Sequence, residues 1–104
     1  MELLLQQVRE AIESVVGDAP MELYLYGSRA RGDATPESDW DFLLILPDEL
    51  AQTRRRAVQD VLYEIELNAN EVFSCIVMSR SDWDFIKSAE TPFAMNVQRE
   101  GIQL

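Results

Sequence analysis

Apolar residues at Leu4, Leu5, Val8, Ala11, Ile12, Val15 and Val16 recur every three or four positions. This spacing predicts an amphipathic helix over Glu2–Val16, stopped by Gly17. Asp18-Ala19-Pro20 reads as a turn, and Met21–Tyr26 (MELYLY) as a short aromatic-rich strand ended by Gly27. Ser28–Ser38 is polar and broken by glycine and Pro36, so it reads as mostly loop with room for one helical turn at its start. Trp40–Leu46 (WDFLLIL) is a second strand whose later part is apolar throughout, the pattern of a central strand covered on both faces. Pro47 opens a long helix, Asp48–Leu67, with apolar positions Leu50, Ala57, Val58, Val61, Leu62 and Ile65, ended by Asn68-Ala69-Asn70. Val72–Val77 is a third strand. Ser81-x-x-Asp84 forms a capping box at the head of a short helix. Thr91-Pro92 supplies an N-cap and an N1 proline for a last helix that stops at Gly101. The order α-β-(loop)-β-α-β-α-α predicts an α/β (α+β) fold, a small mixed β-sheet flanked by helices.

The 104 residues predict one domain, 1–104, and no repeat, linker or low-complexity tract divides them. With 47% apolar and 27% charged residues, the composition is that of a globular chain. No apolar run approaches the roughly 20 residues of a membrane span. The start, Met-Glu-Leu-Leu-Leu, has no basic region of the kind that opens a signal peptide, so a cytoplasmic protein without a membrane partner is expected. The single cysteine, Cys75, excludes an internal disulfide framework, and it reads as a buried small hydrophobe in mid-strand. The complete lack of histidine excludes Ser-His-Asp triads, histidine metal ligands and histidine general bases. Nine Lys and Arg against nineteen Asp and Glu give a net charge of −10. Such a chain repels nucleic-acid backbones, so no nucleic-acid partner is expected. If it handles phosphate, a divalent metal is the expected source of positive charge.

The chemistry concentrates in Tyr26–Asp41, YGSRARGDATPESDWD. Gly27-Ser28 directly follows a strand, and Asp39-Trp40-Asp41 heads the next one. Strand residues i and i+2 share a face, about 6.6–6.8 Å apart, so Asp39 and Asp41 stand side by side and Trp40 faces away. Two such carboxylates repel unless a cation sits between them. Hard oxygen donors suit Mg²⁺, which takes one or two carboxylates plus substrate phosphates. Gly27 lets the backbone approach an anion, and the following amides with the Ser28 hydroxyl can donate to phosphate oxygens. Arg29 and Arg31, the cations of this stretch, are placed to neutralise a triphosphate tail.

Gly27-Ser28-Arg29-Ala30-Arg31-Gly32, followed by Ser38-Asp39-Trp40-Asp41, resembles the G-S-x10-D-x-D hallmark of the DNA-polymerase-β-type nucleotidyltransferase superfamily. The likeness is greatest to its minimal nucleotidyltransferases, and the element order extends it over most of the chain. The resemblance implies ATP or another nucleoside triphosphate as co-substrate, with Mg²⁺ (or Mn²⁺) held by Asp39 and Asp41. It further implies Gly27, Ser28 and Arg31 at the phosphates and transfer of a nucleotidyl group, AMP if the donor is ATP, to an acceptor hydroxyl. Relatives this small often act beside a helical HEPN protein, in pairs that include toxin–antitoxin systems, so such a partner is implied as well.

The family usually carries a third carboxylate on the next core strand. Here that strand, Val72-Phe73-Ser74-Cys75-Ile76-Val77, holds no acid. Ser74 takes the position, and Glu71 at the strand entrance is the stand-in candidate for a catalytic acid. Two alternatives follow: a nucleotide-binding or partner-neutralising module that lacks turnover, and an antibiotic-modifying nucleotidyltransferase. Arg54-Arg55-Arg56 spreads around its helix at about 100° per residue and reads as a solvated face pairing with Asp48, Glu49 and Asp60.

Overall fold

The computed structural model describes residues 2–104. Its elements are α1 (Glu2–Val16), β1 (Glu22–Tyr26), α2 (Ser28–Arg31), β2 (Trp40–Leu46), α3 (Asp48–Ala69), β3 (Phe73–Ser79), α4 (Arg80–Ser88), α5 (Pro92–Glu100) and β4 (Ile102–Gln103). The four strands form one sheet in the order β3-β2-β1-β4. β1 runs antiparallel to β2 and β4, and β2 runs parallel to β3 with α3 as the crossover. The mixed sheet flanked by helices is the fold the apolar pattern predicts.

Alternation along β2 explains its central place. Trp40, Phe42, Leu44 and Leu46 enter a core shared with Val8, Ile12 and Val16 of α1 and Ala51, Val58 and Leu62 of α3. Leu43 and Ile45 point the other way, against Trp83 of α4 and Ala94 and Val97 of α5. Each such side chain contributes about 1.5–3 kcal/mol relative to an exposed one, so a strand apolar on both faces is driven to the middle of the sheet. The face carrying Leu43 is the one on which Asp41 stands.

β1 begins at Glu22 rather than Met21, and larger differences from the prediction lie further along the chain. α3 runs to Ala69 and ends on Asn70, in the left-handed conformation at φ 54°. β3 occupies Phe73–Ser79 rather than Val72–Val77, because its ladder with β2 continues to Leu46↔Ser79. The chain therefore enters α4 directly, and its N-cap is Ser79, whose Oγ accepts from Asp82 N at 3.0 Å. Ser79-x-x-Asp82 and Ser81-x-x-Asp84 carry the same pattern, and the longer strand selects the first. The apolar pattern does not predict β4, because two residues are too few for an alternation to register.

Ser81 is instead held by α3. Its amide donates to Asp48 Oδ1 at 3.0 Å, and its hydroxyl donates to Asp48 Oδ2. These two bonds, the hydroxyl's first, hold the Asp48 carboxyl below its ordinary value of 3.8. A carboxylate whose folded-state pKa is depressed adds stability that is present above its unfolded value and lost as pH falls through the folded one. Asp48→Ala is therefore expected to lower Tm at neutral pH, with the difference from wild type shrinking as the pH drops below 3.8. Thermal melts of both proteins across acidic and neutral pH check this.

Candidate active site

The strand register assembles the site. Tyr26 of β1 pairs with Asp41 of β2, and Asp41 pairs with Ser74 of β3. Paired neighbours point to the same face, so Tyr26, Asp41 and Ser74 form a row across three strands. Asp39, exposed and immediately before β2, precedes Asp41 by two positions on the same side, while Trp40 is buried in the opposite core.

Gly27 links β1 to the single turn α2 and adopts φ 77°, ψ −159°, a region essentially confined to glycine. A Cβ at this position would overlap the Asp41 carboxylate, which lies directly against the Gly27 backbone. Gly27 O accepts from Ala30 N at 3.1 Å and Arg31 N at 3.0 Å, which folds the next residues into α2. The amides of Ser28 and Arg29, in that first turn, have no intrahelical acceptor. Gly32, left-handed at φ 89°, closes the turn through Ser28 O.

The electrostatics place the charged groups relative to Asp41. Partial burial raises its pKa above 3.8, the Asp39 charge adds to the rise, and the Arg31 guanidinium opposes it. Two carboxylates with one nearby cation leave an excess of negative charge that a divalent ion would relieve. Tyr26, half-buried with its ring edge-on to Phe93 at 5.4 Å, has its phenol pushed up by desolvation and then by the Asp41 charge.

Two of the predicted participants are engaged elsewhere. The Arg29 guanidinium lies 4.4 Å from the Trp40 ring centroid and donates to Ser38 O at 3.0 Å. It thereby fixes the loop that delivers Asp39. Glu71 accepts from Trp40 Nε1 at 3.1 Å and stands 3.9 Å from Arg29. Its carboxylate thus belongs to the Trp40 side of the sheet, and the structure does not bring it to Asp39 and Asp41. Among the described residues, no three Asp, Glu or Cys side chains converge in a way that could hold a metal ion. The two aspartates with Ser74 are the donor set on this face.

Arg31 remains on the open side. Its Nε donates to Asp33 Oδ2 and its Nη1 to Glu100 Oε2, both at 3.2 Å. Glu100 is a participant that sequence reasoning missed. It lies 69 positions away, and nothing in its neighbourhood marks it.

Residues 5–96 match the nucleotidyltransferase domain family. The chain belongs to that family. A crystal structure of a proposed nucleotidyltransferase superposes on this domain with a TM-score of 0.51 at 24% identity. The match covers 82% of this chain and 88% of that one, so the nucleotidyltransferase domain shares its fold. No curated protein matches the chain. Domains of this family generally use a nucleoside triphosphate and a divalent metal.

Other features separate from the site. A cleft of about 500 Å³ between α1 and α3, lined by Gln7, Glu10, Ser14 and Asn68 among others, has no cation in its lining and does not suit a phosphate. Among the described residues, none of Arg54, Arg55 and Arg56 pairs with a carboxylate, contrary to the expected pairing with Asp48, Glu49 and Asp60. Cys75 packs against the α1/α3 core, and burial pushes its thiol up to about 12. No helix among the described residues is long and apolar enough to cross a membrane.

Proposed function

We propose that this nucleotidyltransferase domain transfers AMP from ATP to an acceptor hydroxyl on a helical, HEPN-type partner protein. The observation that carries the reading is the seating of the Asp41 carboxylate against Gly27. It sets a metal-binding oxygen beside the backbone amides of a turn suited to phosphate. Asp39 and Asp41 fit Mg²⁺ or Mn²⁺ by donor type, and partial burial, then the Asp39 charge, disfavours the ionised Asp41 that such an ion would stabilise. When bound, the ion supplies charge neutralisation on the phosphoryl oxygens.

The chain's own residues do the rest. The Ser28 and Arg29 amides and the Ser28 hydroxyl donate to the β- and γ-phosphates, and Arg31 adds a bidentate fork once it leaves Asp33 or Glu100. The acceptor oxygen attacks the α-phosphorus, its bond to the β-phosphate oxygen breaks, and pyrophosphate leaves. The acceptor proton passes to solvent water.

Isothermal calorimetry with ATP tests the reading. Binding is expected with Mg²⁺ or Mn²⁺ and not in EDTA, and Asp39→Asn is expected to abolish the metal-dependent part. Equal affinity with and without metal would sink it.

A second reading, binding with little turnover, rests on Ser74. It stands in register with Asp41 on the same face, where the family usually has an acid. A hydroxyl is a poor base and a weak metal ligand, so slow transfer is expected from the wild type. Ser74→Asp, on an exposed strand position, is expected to raise it. Mass shift of the partner protein in the presence of ATP gives the rate. A wild type already faster than Ser74→Asp would rule this second reading out.

A further inference from the structure

β3 is the outer strand of the sheet, seven residues long, with its far side unpaired. Such an edge is a template for another strand unless something blunts it. The backbone groups of Phe73, Cys75 and Val77 face away from β2, and three of them meet side chains of α3. Phe73 N donates to Glu66 Oε2 at 3.2 Å, Cys75 O accepts from Gln59 Nε2 at 3.0 Å, and Val77 O accepts from Arg55 Nη1 at 2.7 Å. The edge thus carries a carboxylate at one end, a neutral amide in the middle and a guanidinium at the other end. Cys75 is the midpoint.

That ladder is complementary to itself. A two-fold rotation about Cys75 places the positive end of one copy on the negative end of another. Exposed apolar side chains flank the same edge. Val72 and Ile76 are 56% and 38% exposed on the Asp41 face, and Tyr63 of α3, one helical turn beyond Gln59, is 58% exposed. Arg55 has no carboxylate partner within its own chain among the described residues, although the chain carries ten more negative than positive charges.

We propose that two copies of this domain associate through antiparallel pairing of their β3 strands, centred on Cys75, into one continuous sheet. Antiparallel pairing requires outward-facing residues to meet outward-facing residues. The Cys75-centred register satisfies this for all three: Phe73 pairs with Val77 of the other copy, and Cys75 with Cys75. Pairing moves the Phe73 N–H from Glu66 Oε2 to Val77 O of the other copy, and the same register sets the released Glu66 beside Arg55 of that copy. It also places Ile76 opposite the other copy's Ser74 and Val72 opposite its Met78, which covers the exposed apolar positions. The two Asp41 sites then open on one face, each with an isoleucine from the neighbouring copy as part of its wall. The assembly stands whether or not the site transfers nucleotides.

Sedimentation velocity of the full chain over a range of concentrations tests the proposal, with circular dichroism to confirm folding of each variant. The wild type is expected to dimerise. Arg55→Glu alone and Glu66→Arg alone each set like charges together twice and are expected to weaken dimerisation by about tenfold or more. Mixing the two single variants restores both pairs, so a heterodimer is expected from two monomers, and the double variant is expected to dimerise again. This rescue separates the proposed pairing from a folding defect. A wild type that stays monomeric at every concentration would make the three α3 side chains a guard on the edge and overturn the proposal. A dimer unaffected by either single variant would overturn it as well.

Discussion

Gly27→Ala is expected to cost more than any other single-methyl change near the site, in stability and in triphosphate binding together. At φ 77°, ψ −159° a side chain is strained by about 1–3 kcal/mol before any neighbour is considered. The added methyl also displaces the Asp41 carboxylate, and Asp41 is held from behind by its ladder with Tyr26 and Ser74. For a chain of about 100 residues, that strain corresponds to a fall in Tm on the order of 10 °C. Gly32→Ala is the matched control. Gly32 also has a positive φ, 89°, but a Cβ there meets nothing within 4 Å. It should lose stability by about 1–2 kcal/mol, from the left-handed backbone alone, and keep its affinity for Mg²⁺-ATP. Parallel melts and calorimetry on the two variants decide the matter. Equal loss of ATP binding in both would mean that the contact between Gly27 and Asp41 does not shape the phosphate site.

How much of this was legible in the sequence depends on whether the signal is local. β2 is legible to the residue, because the five consecutive apolar positions Phe42–Leu46 have few places to go except between two layers. The aspartate pair and the glycine turn were legible through spacing alone. Their contact was not, since it depends on how β1 and β2 pair. Alternation puts Val72, Ser74 and Ile76 on one face, and only the parallel register shows that this face is the one carrying Asp41. Glu71 shows the limit of proximity in sequence. One position before the strand predicted there, it swings to the Trp40 indole because a buried N–H needs an acceptor. Arg29 is absorbed by the same cluster, which leaves Arg31 as the cation facing the site. The link from Arg31 to Glu100 joins α2 to the end of α5, and no periodicity carries information of that kind.

Asp41→Asn is expected to destroy metal-dependent triphosphate binding while making the metal-free protein more stable at neutral pH. The second effect follows from the raised pKa. Partial burial, then Asp39, disfavours the charged form in the folded state, so the folded protein holds its proton to a higher pH than the unfolded chain does. Stability therefore falls as pH rises from 3.8 through the folded-state value, and the penalty is complete at neutral pH. Asparagine keeps the shape and removes the charge, so the variant should melt above wild type at pH 7 and converge with it as the pH approaches 3.8. Adding Mg²⁺ and ATP should reverse the ranking. A ligand that binds the folded state alone raises stability by about 2.7 kcal/mol at a hundred times its Kd, and the variant cannot collect that gain. The decisive measurement is a pair of thermal melts at pH 7, in EDTA and in saturating Mg²⁺-ATP. If Asp41→Asn melts below wild type in EDTA, the carboxylate is holding the fold together through its place beside Gly27. If both proteins rise equally with ligand, the triphosphate is bound elsewhere. Crossed curves, with the variant higher in EDTA and lower with Mg²⁺-ATP, are the outcome a metal-binding carboxylate requires.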